Sequence, residues 1–103
     1  MSERRKTSHE QLVYDVIENN EKNLNGMIEP IVMSNVVSLV REQDSSIDGE
    51  MIRADIEAML SGSHDKLYLY EKVGDSYVGV EQTKISMEDL TNNNLFISVH
   101  HTL

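Results

Sequence analysis

Cysteine is absent from this chain of 103 residues, so no disulfide framework or thiolate metal site can form, and redox usage does not reveal a compartment. Tryptophan is also missing, and phenylalanine and proline occur once each. No apolar run approaches the roughly 18 residues of a membrane-spanning helix. Behind Met1 to Lys6 there is no apolar stretch of the kind that makes a signal peptide, so a cytoplasmic protein without membrane association is expected. The five glycines are isolated, which excludes a phosphate-cradling glycine loop.

Catalytic and metal-binding patterns are equally sparse. There is no Gly-x-Ser-x-Gly elbow, and none of the four histidines has an evident partner in the sequence. His100 and His101 would point to opposite faces of a strand, a poor arrangement for joint metal binding. His64-Asp65 suits a turn, and acidic pairs such as Glu88-Asp89 and Asp55/Glu57 lack the punctuated spacing of a calcium loop. A non-enzymatic protein with no cofactor and no metal is therefore expected.

Positive charge is scarce too: 9 Lys and Arg stand against 18 Asp and Glu, a net charge of −9. Charge speaks to partners and solubility rather than to fold. Proteins that grip phosphates are usually basic, because counterion release supplies most of their non-specific affinity. Three readings of the acidity compete: a merely solvated surface, adaptation to high salt, and a surface shaped for a basic protein partner.

What is present describes one domain with a single modest core. Residues 1–7 are expected to form a flexible arm, and Arg4, Arg5 and Lys6 are its basic cluster. That arm either solubilises the terminus or touches phosphates, as arms do in several DNA-binding folds. Ser8 and Gln11 have the spacing of a capping box, and Leu12, Val13, Val16 and Ile17 fall on one helical face. Leu24 extends that stripe if the helix persists, although Asn19, Asn20, Asn23, Asn25 and Gly26 mark its fraying and end. Pro30 suits the first turn of a second helix, from about Pro30 to Gln43. Ile31, Val32, Met33, Val36, Val37, Leu39 and Val40 would cover about half of its circumference, a core stripe with room for a dimer contact. Their β-branched density weakens helix propensity, so a strand beginning at Met27–Ile28 is an alternative addition.

Asp48 is placed to cap a third helix to Ser61, with Ile47 as a hydrophobic staple and Gly62 as the stop. Met51, Ile52, Ile56, Met59 and Leu60 form its buried face; Glu50, Arg53, Ala54, Glu57 and Ala58 form the other. Two strands follow, Leu67 to Val73 and Ser76 to Glu81, around the turn dipeptide Gly74-Asp75. With a two-residue turn Leu69 faces Val80 and Glu71 faces Val78. Leu67, Leu69, Val73, Val78 and Val80 would then cover the helices, leaving Tyr68, Tyr70, Lys72, Tyr77 and Gly79 on an outward face. The tyrosines are either cross-strand packing or an interaction patch. In a C-terminal extension, residues 86–103, Ser86 caps one helical turn from Met87 to Leu90, and Leu95 to Val99 makes a last strand.

The element order over residues 4 to 81 resembles the winged helix-turn-helix superfamily, which implies a domain over residues 8–85 with an α+β fold, three helices and a two- to three-stranded β-wing. Within that superfamily, Arg4 to Val13, Met51 to Leu60 and Leu67-Tyr68-Leu69-Tyr70 resemble the C-terminal winged-helix domain of cullins and the related anaphase-promoting-complex scaffold subunit. The position of that family's modifier-acceptor lysine falls near Glu3, so no modification site is implied. The superfamily resemblance implies a small DNA-binding regulator and homodimer. Arg53 would lie at the groove, with Arg4, Arg5, Lys6 and Lys72 on phosphates. The alternative is an acidic protein-interaction module, an adaptor, inhibitor or DNA mimic, using Glu50, Glu57, Tyr68, Tyr70 and Tyr77. The acidic third helix favours the alternative, because carboxylates near phosphates are tolerated only when salt screens them.

Overall fold

Side-chain periodicity explains the three helices, and strand pairing explains what the helices pack upon. The computed structural model describes residues 8–24, 26–62 and 66–101. In chain order the elements are α1 (Ser8–Asn20), β1 (Lys22–Leu24), β2 (Met27–Glu29), β3 (Ile31–Val32), α2 (Met33–Gln43), α3 (Gly49–Leu60), β4 (Tyr68–Val73), β5 (Ser76–Val80), a 3-10 turn (Asp89–Thr91) and β6 (Leu95–Ser98). Four strands form one antiparallel sheet in the order β3-β6-β4-β5, while β1 and β2 make a separate two-stranded hairpin. The helices close the core with Val13, Val16 and Ile17 of α1, Met33, Val36 and Val40 of α2, and Ile52, Ile56, Met59 and Leu60 of α3. The sheet meets them with Leu69, Leu95 and Ile97.

Local signals behave as expected where the partner is a few residues away. The Asp48 carboxylate accepts from the Met51 amide at 2.9 Å, and Ile47 before it is 1% exposed. This cap satisfies an amide that the first turn cannot pair internally. The β4–β5 register is the expected one, with Leu69 opposite Val80 and Glu71 opposite Val78. Gly74, the first turn residue, has a φ of 62°, which glycine adopts without a Cβ clash. Ser86 and Asp89 cap each other's amides, and the helical turn forms slightly later than expected, at Asp89–Thr91.

Four expectations are corrected. First, Pro30 does not open α2; it is buried between β2 and β3, and the helix begins at Met33. Ile31 and Val32 instead pair with Ile97 and Phe96, a pleated half-buried setting that suits β-branched side chains. Second, Leu24 does not extend α1, which stops at Asn20, where the side-chain amide donates to the Val16 carbonyl. Strand β1 then folds back on β2 through Gly26 at φ 83°.

Third, the sheet has four strands, because β6 inserts between β3 and β4. The C-terminal extension is thus integral to the sheet. Fourth, Val73 and Val78 do not cover the helices; they are 61% and 49% exposed. The β4–β5 hairpin is longer than the core it roofs, so its distal half overhangs solvent. The Ser8 cap, the side chain of Leu24, the turn at His64-Asp65 and the basic arm Arg4-Arg5-Lys6 lie outside what the structure describes.

Candidate interaction surfaces

The outer face of α3 is built around one cation. Asp48 fixes the start of the helix, so Glu50, Arg53 and Glu57 fall three and four residues apart on one side. The Arg53 guanidinium grips Glu50 through two bonds, Nε to Oε1 at 3.0 Å and Nη2 to Oε2 at 2.6 Å. It also lies 3.3 Å from Glu57 Oε2. Hydrogen bonding to Arg53 holds the Glu50 carboxyl below the usual carboxylate range, and bonding to Glu50 pushes the Arg53 guanidinium above its ordinary value.

The same cluster fastens a strap. Arg53 Nη1 donates to the Ile85 carbonyl at 3.1 Å, and the Ile85 amide donates to Glu57 Oε2 at 3.1 Å. Ile85 itself is 5% exposed, so the segment after the hairpin is pinned against the helix by an apolar anchor and two charge-assisted bonds. Arg53 and Glu57 are therefore occupied within the fold, and Glu50 is the most exposed member of the cluster.

The opposite face of the sheet carries the aromatic residues, but they do not form one outward patch. Tyr70 is only 5% exposed. Its hydroxyl lies 2.7 Å from both the His100 and His101 carbonyl oxygens, and it donates its one proton to this pair. Burial, with the neighbouring Tyr68 and Glu21, pushes the Tyr70 phenol above its ordinary value. Tyr68 and Tyr77 are half-buried. Tyr68 stacks on His101 with ring centroids 4.9 Å apart, and Tyr77 meets Phe96 edge-to-face at 5.2 Å. The exposed Lys72 places its Nζ 5.6 Å from the centroid of the Tyr77 ring, a cation–π contact.

A clasp holds the chain end under Tyr70. The Glu21 side chain is 3% exposed; it accepts from the Val99 amide at 2.7 Å and pairs with His100 Nδ1 at 2.7 Å. His100 thus has a partner that sequence reading did not find. No local signal marks Glu21, which follows the last residue of α1 and meets a histidine 79 positions away. Phe96 and Ile85 were likewise missed, because their roles depend on which strand pairs with which.

Two hollows flank these residues. One of about 620 Å³ opens at the base of the β4–β5 hairpin, among Tyr68, Tyr70, Gly79, Glu81, Gln82 and His101. The other, about 390 Å³, lies between β2–β3, α2 and the Tyr77–Phe96 pair. Among the described residues no three His, Asp or Glu side chains gather as metal ligands, and no described helix is long and apolar enough to cross a membrane. No protein-family model, curated protein or solved structure matches this chain.

Proposed function

We propose that this chain is a non-enzymatic interaction module that binds a basic protein segment through its acidic surface. The observation that carries the reading is the state of Arg53: two carboxylates surround the only cation of α3, and its Nη1, beside Glu57, also donates to the Ile85 carbonyl. A helix whose cation is consumed in this way presents net negative charge, which repels phosphates and attracts lysine and arginine. The overall charge of −9 acts in the same direction.

A second reading has one feature in its favour. Three helices followed by a hairpin is the element order of a winged helix, and that finer fold description would make the chain a small DNA-binding regulator. Arg4, Arg5, Lys6 and Lys72 would then supply phosphate contacts, with Arg53 at the groove. Gel-shift titration with random duplex DNA over a salt series separates the two. The protein-binding reading expects no saturable complex even at low salt, and it expects Arg53→Glu to change nothing there. Saturable binding that weakens steeply with salt and is lost in Arg53→Glu would replace it with the DNA reading.

A further inference from the structure

The β5 edge of the sheet has the features of an unfilled strand position. Strand β5 pairs only with β4, and among the described residues no strand lies on its other side. The two-residue turn makes Val73–Ser76 a hydrogen-bonded pair, and antiparallel pairs alternate from there. Tyr77 and Gly79 therefore aim their amide and carbonyl groups away from β4, toward solvent. Sheet edges are normally blunted by lysine, proline, a bulge or a covering element. Ser76–Val80 contains no charge and no proline, and its register to β4 is continuous.

Gly79 sharpens the case. Its φ is not positive, it makes no bulge, and a Cβ built there would meet nothing within 4 Å. The fold itself gives no reason to tolerate the weaker strand propensity of glycine here. Interior strand glycines often mark the close approach of another backbone. Beside Gly79 lies the 620 Å³ hollow, and Val78 on the other face is half exposed. The flanking charges set the partner's chemistry. Glu71, Asp75 and Glu81 are exposed around the edge against Lys72, which is drawn onto the Tyr77 ring, and Lys66 rims the far side of the hollow.

We propose that β5 accepts an extended, lysine- or arginine-bearing peptide as a fifth strand, paired through the main chain of Tyr77 and Gly79, with an apolar side chain entering the hollow beside Gly79. This rests on the basic-partner reading above and places that partner at the β5 edge rather than on the outer face of α3. A second copy of the chain fits the edge less well, because two copies of net charge −9 repel.

The test uses the full chain and a short alternating Lys-Val peptide, beside the same peptide N-methylated at every second residue so that one edge loses its amide donors. Fluorescence anisotropy at low salt should show binding of the first and a loss of about tenfold or more for the second. Hydrogen exchange should slow at the Tyr77 and Gly79 amides on binding. Gly79→Pro, which removes an outward donor but no ladder bond, should weaken binding similarly; if it unfolds, the N-methylated peptide decides on the unaltered chain. Equal binding of both peptides without new protection would overturn strand addition while leaving the basic-partner reading standing. No binding of either peptide at low salt would overturn both. Concentration-dependent protection of Tyr77 and Gly79 without peptide would assign the edge to a second copy and overturn the peptide proposal.

Discussion

Replacing Tyr70 by Phe isolates one hydroxyl in the clasp of the C-terminal segment. The ring keeps its burial beneath the sheet's outer face, so the apolar contribution is retained, and only the donation to the His100 and His101 carbonyls is lost. An intramolecular hydrogen bond is worth about 0.5–1.5 kcal/mol net, and more when the abandoned partner is cut off from water. Both histidines are exposed, so water can reach their carbonyls, and the expected loss is about 1 kcal/mol. In a domain of this size that lowers Tm by roughly 4–8 °C.

The pH dependence gives a sharper signature for Tyr70→Phe. Burial raises the Tyr70 phenol above its ordinary value of 10.0, so the folded state holds this proton more tightly than the unfolded chain does. Its contribution is complete below the unfolded value and declines as pH rises beyond it. Urea unfolding at pH 8 should show the parent chain more stable than the Phe variant, and the gap should shrink as pH rises above about 10. A gap that stays constant from neutral to strongly alkaline pH, or no gap at neutral pH, would refute the buried, hydrogen-bonded phenol.

Two further substitutions probe the frame that carries the interaction surfaces. Asp48→Ala removes the acceptor for the Met51 amide and should cost about 1 kcal/mol, measured by urea denaturation, with loss of helix signal no larger than the shared unfolding transition. Ile97→Ala, at a fully buried position on β6 opposite both Ile31 and Leu69, should cost about 2–5 kcal/mol, whereas Val78→Ala on the overhanging hairpin should stay within about 0.5 kcal/mol. Similar losses at Ile97 and Val78 would place the hairpin's distal half inside the core, contrary to the exposure observed.

The parts of the fold that were legible share a short reach. Asp48 needs only its own next turn, and the facing of Leu69 with Val80 follows from Gly74-Asp75 and the strict alternation of strand side chains. The stripes Val13, Val16, Ile17 and Ile52, Ile56, Met59, Leu60 likewise announce which helical face is buried. Alternation also assigned Tyr70 correctly to the face opposite Leu69, but it carries no information on what covers that face. Tyr70 was accordingly expected at the surface, and the returning chain end buries it.

The sequence by itself determined the Asp48 cap, the hairpin turn, its register and the acid excess, since each depends on neighbours a few residues apart or on composition alone. Tertiary structure decided the rest. Insertion of β6 between β3 and β4 turns Ile31 and Val32 from helix to strand, because their pleated pairing with Ile97 and Phe96 outweighs a local preference. Packing of Ile85 brings its backbone to Arg53 across 32 positions, so the guanidinium that meets Glu50 and Glu57 on its own helix also fastens a distant segment. Among the described residues the same strand order leaves β5 with one side unpaired, which no local pattern in Ser76–Val80 reveals, because being an edge is a property of the assembled sheet.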